Sequence, residues 1–148
     1  PYEISGVEVQ NNLPQTHVEN PTYPEQDLPP MGGAHIAVWL NCGIYTEPVP
    51  TGNAVHSLEH GAVWITYNPD LSLEDVAKLQ DITRQGSYRL LSPFPGLAKP
   101  VVVVAWGHRL QLDSVDDARL GQFIKNFEQG PQTPEPGATC RGGLGQPQ

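Results

Sequence analysis

The sequence predicts an α+β fold, with a small mixed β-sheet, two to three helices, and long irregular arms at both ends. Apolar segments of strand length alternate with segments of helical period in the middle of the chain. The 16 prolines and 15 glycines among 148 residues crowd the two ends, where they disfavour helices. We therefore divide the chain into an extended N-terminal arm (1–34), a single core domain (35–130) and an irregular C-terminal tail (131–148).

The first half of the core is predicted as strand, short helix and strand. Before it, the apolar residues within 4–9 allow one short edge strand in the arm. Residues 35–40 are apolar and partly β-branched, which predicts a strand or extended core segment. Asn53 is a plausible N-cap for a two-turn helix over residues 54–60, and Gly61 stands where a helix-terminating glycine is favoured.

The next elements are a buried strand, an amphipathic helix and a short strand. Residues 62–67 are almost wholly apolar and are followed by the turn signal Asn-Pro-Asp. Ser72, with Asp75 three residues later, resembles a capping box and predicts a helix that ends at Gly86. Residues 88–91 then predict a short strand.

The last elements are a strongly apolar strand and an amphipathic helix. Residues 101–106 predict the strand, which Gly107 and His108 are expected to kink before residues 109–112 continue it. Asp116 or Asp117 is then expected to cap a helix that ends at Gly130-Pro131. Its apolar residues follow the i, i+3, i+4, i+7 pattern: Leu120, Phe123, Ile124 and Phe127.

Charge and hydropathy exclude several partners. The net charge of −8, with eight scattered Lys and Arg, disfavours nucleic acid and anionic membrane surfaces. No run of about 18 apolar residues is present, so no membrane span is predicted. The chain begins at Pro1 without a signal segment, and we expect a mature or trimmed product whose targeting segment has been removed.

The two cysteines, Cys42 and Cys140, are far apart in the sequence. Their spacing fits neither a CxxC redox motif nor a zinc knuckle. We predict a disulfide that pins the tail to the core; two free thiols in a cytosolic protein are the alternative.

The strongest chemical signal is the string HSLEH at residues 56–60. His56 and His60 lie four residues apart, so on a helix their imidazoles can converge on one metal ion. Glu59 could accept a hydrogen bond from a ligand imidazole and fix its tautomer. The string also matches the HxxEH motif of inverted zinc peptidases, in which Glu59 would be the general base. We disfavour that alternative because Gly61 ends the helix too early and the chain is small for a substrate cleft.

A metal site needs further ligands, and three residues are candidates. His35 follows a Pro-Pro-Met-Gly-Gly-Ala loop that can present its imidazole, and His17 lies in the extended arm. The single methionine, Met31, would favour copper over zinc as a thioether ligand. His108 is left out, as a structural or exposed residue.

Several strings resemble a bacterial family, the domain of unknown function 3105, over about residues 17–140. The resemblance rests on PPMGGAH (29–35), WLNCGIY (39–45) and VHSLEHGAV (55–63), and in the actinobacterial branch on LSPFPGL (91–97) and QGPQTPEPG (129–137). It implies an extracytoplasmic domain, secreted or anchored to the outer face of the cytoplasmic membrane. It also implies that His17 and His35 join His56 and His60.

Two hypotheses of function follow. The favoured one is an extracytoplasmic metal-binding domain that buffers or delivers an ion, with copper favoured and zinc the alternative. The runner-up is an accessory subunit of a membrane complex, in which the histidines only hold the loops together. No reaction is assigned by the sequence, and a binding function is favoured over an enzymatic one.

Overall fold

A computed structural model describes residues 3–148 and shows one six-stranded mixed sheet with three α-helices, which confirms the α+β class. The first two residues of the predicted arm lie outside the described residues. The strands are β1 (Glu8–Val9), β2 (Gly43–Ile44), β3 (Val63–Tyr67), β4 (Arg89–Pro93), β5 (Val101–Ala105) and β6 (His108–Leu112). The helices are α1 (Thr51–Glu59), α2 (Leu73–Arg84) and α3 (Arg119–Phe127), and a 3₁₀ turn spans Glu25–Asp27.

The strand order in the sheet is β1-β6-β5-β3-β4-β2. Strand β4 pairs in parallel with both β3 and β2, while the β3–β5, β5–β6 and β1–β6 pairs are antiparallel. Helix α2 is the crossover that a parallel β3–β4 pair requires. None of the helices among residues 3–148 is long and apolar enough to cross a membrane.

The central strands are buried on both faces, which gives the fold three layers. Along β5, Val103 faces the cluster that contains Phe123 of α3, and Val104 faces the cluster that contains Leu58 of α1. Helices α2 and α3 therefore cover one face, and α1 with the loops around it covers the other. Burial on both faces explains the unbroken apolar run of β5, because an exposed face would need alternating polar residues.

Helix α1 is enclosed by protein, since every residue from Gly52 to Glu59 is buried. It begins at Thr51, and Pro50 occupies the N-cap position without a side-chain hydrogen bond. The predicted N-cap Asn53 was therefore wrong: Asn53 lies inside the helix and its Nδ2 donates to the Val38 carbonyl at 2.8 Å. The predicted C-terminal glycine is confirmed by the positive φ of +102° at Gly61.

Residues 35–40 do not join the sheet as the strand considered in the sequence analysis; they form an irregular segment with isolated bridges at each end. The backbone groups of this segment that would pair in a sheet are instead hydrogen-bonded to helix α1. Ser57 Oγ accepts from the Leu40 N–H at 3.0 Å and donates to the Leu40 carbonyl at 2.6 Å. The edge strand is instead β2, three residues further on.

The expected kink at Gly107 is a tight turn. Residues 109–112 do not continue the strand but return as β6, antiparallel to β5, with Ala105 opposite His108. Gly107 has a φ of +78°, which a residue with a side chain rarely adopts, and this freedom lets the chain reverse within two residues.

The capping signals of α2 and α3 are partly confirmed. Ser72 Oγ accepts from the Asp75 N–H at 3.1 Å, as the sequence predicted. In α3 the N-cap is Ala118 rather than Asp116 or Asp117, although Asp117 Oδ1 still accepts from the Arg119 N–H at 2.9 Å. The division into arm, core and tail stays a prediction.

The predicted Cys42–Cys140 disulfide is present and closes a sequence separation of 98 residues. Replacing both cysteines by Ser, or reducing the protein, is expected to lower the free energy of unfolding by about 4–5 kcal/mol, because the unfolded chain regains the entropy of a long loop. Urea unfolding with and without reductant measures this difference. An unchanged midpoint, or alkylation of both thiols without reduction, would contradict the prediction.

Candidate metal centre

Four histidines from different parts of the chain meet beside the C-terminal end of α1. The ring centroids of His35 and His56 are 4.8 Å apart, and those of His56 and His60 are 4.6 Å apart. The His17 ring lies 5.0 Å from each of the His35 and His56 rings. The predicted convergence of the four side chains is therefore confirmed, whereas their role as ligands stays a prediction.

The N-terminal arm reaches the site by pairing with the chain around His35. The Val18 N–H donates to the His35 carbonyl at 2.8 Å, and the His35 N–H donates to the Thr16 carbonyl at 3.0 Å. This bridge places His17 beside His35. The His17 side chain is exposed, whereas the side chains of His35, His56 and His60 are buried.

Each buried histidine holds its Nδ1 atom against a backbone carbonyl. The carbonyls belong to Gly33 (2.8 Å from His35), Ile36 (2.7 Å from His56) and Thr139 (2.7 Å from His60). A carbonyl oxygen can only accept, so each Nδ1 must carry the proton. In the neutral imidazole, Nε2 then has a free lone pair, and this is the nitrogen that can bind a metal.

These Nε2 atoms face other acceptors. The Nε2 atoms of His56 and His60 are 3.0 Å apart, and His35 Nε2 lies 3.2 Å from Glu59 Oε1. The same carboxylate oxygen is 3.9 Å from His56 Nε2. With neutral imidazoles and an ionised carboxylate, only lone pairs point into this space. The arrangement is stable only with an electropositive centre between them, either a proton or a metal ion.

Burial disfavours the proton on the imidazoles. It lowers the pKa of His56 to about 4 and also lowers the pKa of His35, while the hydrogen bonds to the Ile36 and Gly33 carbonyls act in the opposite direction. Burial, and then the charge of Glu135, raise the pKa of Glu59. The imidazoles of His35 and His56 are thus neutral at pH 7, which is the form that binds metal.

The possible ligand atoms form two groups that share Glu59. His17, His35, His56 and Glu59 place one ligand atom each within 4.8 Å of one another, and Glu59, His60 and Glu135 do the same. Because Glu59 faces the free Nε2 atoms, its position suits a ligand. The three backbone carbonyls orient the imidazoles from the other ring nitrogen, and the orienting role that the sequence suggested for Glu59 stays a prediction.

The other candidates have partners of their own. Met31 is buried in the apolar cluster on the α1 side of the sheet, and its ligand role stays a prediction. Cys42 and Cys140 are joined in the disulfide and offer no thiolate. His108 bonds to the Trp106 carbonyl through Nδ1 and stacks on Phe127, as expected of a structural histidine.

Two neighbours of the site were missed by sequence reasoning, Glu135 and Trp39. The Glu135 N–H donates to the Glu59 carbonyl at 3.0 Å, which ties the tail to α1. The indole of Trp39 lies 5.3 Å from the His60 ring and 5.8 Å from the His56 ring, and its Nε1 donates to the Arg141 carbonyl. The predicted disulfide was the one signal that the tail returns to this part of the core.

Comparison with known proteins finds a family match. A family model described as "Protein of unknown function (DUF3105)" matches residues 16–142. No curated protein and no solved structure matches the chain.

The low pKa of His56 predicts that the metal-free protein is less stable in acid. Unfolded His56 titrates near pH 6.5, so the unfolded state binds the extra proton between about pH 6.5 and pH 4. The contribution is present above pH 6.5, and up to about 3 kcal/mol is lost as the pH falls to about 4. Urea unfolding of the metal-free protein at pH 7.5 and 4.5 measures this loss.

His56→Gln provides the comparison, because the raised pKa of Glu59 changes the stability with pH in the opposite sense. The variant should lose less stability between the two pH values than the wild type. An equal loss in both proteins would show that His56 is not the titrating group.

Proposed function

The chain belongs to the family described as protein of unknown function (DUF3105), and we propose that it binds a divalent transition-metal ion through His17, His35, His56 and Glu59. The observation that carries this proposal is the close approach of potential ligand atoms: His35 Nε2 and His56 Nε2 lie 3.2 Å and 3.9 Å from Glu59 Oε1, and their Nδ1 atoms are bonded to backbone carbonyls. Three imidazoles and one carboxylate complete the four ligands that a zinc or copper site needs.

The ligand types favour a divalent ion, with copper first and zinc as the alternative. Imidazole nitrogen suits both ions, and among divalent ions the affinity of such a site is highest for Cu²⁺. Cu(I) prefers soft sulfur ligands, but both cysteines are used in the disulfide. Met31 Sδ is the remaining sulfur that could tune the site toward copper.

The disulfide supports a location outside the cytoplasm, since such bonds persist in oxidising compartments. It also matters for the site itself. The Thr139 carbonyl that orients His60 is adjacent to Cys140, so the disulfide holds one wall of the cluster in place. A reducing compartment would therefore weaken both the fold and the proposed site.

Buffering or delivery requires an ion that can leave, and the site is open on one side. His17 is exposed and borders a surface depression of about 400 Å³, together with Val18, Glu19, Ile36 and Ala37. The remaining ligands are buried. An ion held between buried ligands and one exposed imidazole can be exchanged at the His17 side while the other ligands stay fixed.

The proposal predicts a specific loss of affinity on removal of a histidine. In a competition titration with Cu²⁺ and Zn²⁺, His56→Ala should weaken binding by more than about 100-fold, a larger loss than outer groups cause. His108→Ala is the matched control, because His108 is half-buried and lies outside the cluster. It should leave the affinity unchanged. The protein must be prepared without a histidine tag.

Three results would count against metal binding: no bound ion in the wild type, equal affinities for wild type and His56→Ala, or equal losses in both variants. The first would favour the alternative in which the histidines only hold the loops together.

The position of Glu59 predicts a second result that separates a ligand from an orienting group. Glu59→Gln should weaken binding by more than about 100-fold if the carboxylate binds the ion, and by about 10-fold to 100-fold if it only orients an imidazole. Competition titration of this variant measures the difference. Metal-dependent cleavage of peptides by the wild type, with unchanged affinity in Glu59→Gln, would instead support the HxxEH peptidase hypothesis.

A further inference from the structure

We propose that the cluster holds two metal ions, with Glu59 as a carboxylate bridge between them. The second ion would be bound by Glu59, His60 and Glu135, whose ligand atoms lie within 4.8 Å of one another. This inference rests on the proposed function, because the first ion occupies the site of His17, His35, His56 and Glu59. It adds a second site, whose ligands are two carboxylates and one imidazole.

His60 is the ligand that points to a second ion. Its side chain is only 5% exposed, and its Nδ1 is committed to the Thr139 carbonyl. Its free Nε2 lies 3.0 Å from His56 Nε2 and 3.7 Å from Glu135 Oε1, and Glu59 is a third acceptor within 4.8 Å. A buried lone pair that faces only other acceptors needs a cation on its own side as well.

Glu135 is held where such a ligand is needed. Its backbone N–H donates to the Glu59 carbonyl, and the tail around it is fixed by further bonds. Gln129 takes part in these: its Nε2 donates to the His60 carbonyl, and its Oε1 accepts from the Gly137 N–H. The Glu135 carboxylate therefore reaches His60 from an anchored loop, although it is itself half exposed.

Two ions explain the close approach of His56 and His60 together with the position of Glu135. If each imidazole binds its own ion, the two lone pairs no longer oppose each other, and a shared carboxylate suits two ions about 3.5–4 Å apart. If a single ion were bound by both imidazoles, the position of Glu135 would have no explanation. The charge of Glu135 also offsets the second cation, which Glu59 alone cannot neutralise.

The half-exposed Glu135 and the smaller ligand set imply that the second ion binds more weakly than the first. Titration should therefore show two successive equivalents rather than one cooperative step. The first equivalent corresponds to the site of the proposed function, and the second equivalent to the new site.

The test is a titration of metal-free, untagged protein with Cu²⁺, followed by calorimetry, by metal analysis after desalting and by electron paramagnetic resonance. Wild type should bind two equivalents, and the second should reduce the signal of the first, since two Cu²⁺ ions that share a carboxylate couple magnetically. Glu135→Gln should bind one equivalent with an uncoupled signal. Glu74→Gln, which replaces an exposed glutamate on α2, should behave like the wild type.

The outcomes separate the two proposals. One equivalent in the wild type would overturn the second site and leave the proposed function intact, and no bound copper would overturn both. Two uncoupled equivalents, or two equivalents in Glu135→Gln, would show that the extra copper binds elsewhere on this acidic protein and would also overturn the second site. Circular dichroism of both variants checks that the fold is kept.

Discussion

The hydrogen bonds between imidazole Nδ1 atoms and backbone carbonyls are the constraint on which the site depends. Three carbonyls, at Gly33, Ile36 and Thr139, fix three rings and leave every Nε2 lone pair directed inward. A backbone carbonyl cannot change its protonation, so it sets the tautomer at any pH at which the ring is neutral. The cluster is therefore already arranged as acceptors, and much of the ordering that a ligand would demand has been completed by folding.

The loops that carry these carbonyls must be held as firmly as the helix. Ser57, between His56 and His60, bonds through its hydroxyl to both backbone groups of Leu40 and fixes the segment that follows His35. On the other side, the disulfide and the bond between Glu135 and Glu59 hold the tail. The irregular arms of this fold thus enclose the site, and α1 packs against the sheet.

The HSLEH string shows how tertiary context changes what a motif does. On a long helix it would leave Glu59 free to act on a bound water, with a further ligand from a downstream helix. Here α1 ends at Glu59, and a buried strand begins at Val63. The Glu59 carboxylate faces His35 Nε2 instead, 24 residues away in the sequence. Burial without a nearby cation raises the pKa of Glu59, and a bound metal ion would remove this penalty.

The sequence by itself determined the fold class, most of the elements and the i, i+4 pair, because these follow from local periodicity, capping and turn chemistry. The apolar run of β5, the Ser72 cap and the Gly61 terminus were all visible in this way. The separation of the cysteines, together with the Pro-rich tail, also predicted their pairing. The first three features depend on residues that are near in sequence. The disulfide could be predicted because two cysteines allow only one pairing within the chain.

Only the tertiary structure decided which groups meet His56 and His60. No local sequence pattern identifies three of these groups, because each belongs to a loop that long-range packing brings to the site. They are the carbonyl of Thr139, the carboxylate of Glu135 and the indole of Trp39. The same reason accounts for the wrong N-cap at Asn53 and for the lack of a strand at residues 35–40, where α1 uses hydrogen-bonding groups that local rules assigned elsewhere. The sequence contained the candidate ligands, but their arrangement depends on contacts between segments that are about 20 to 100 residues apart.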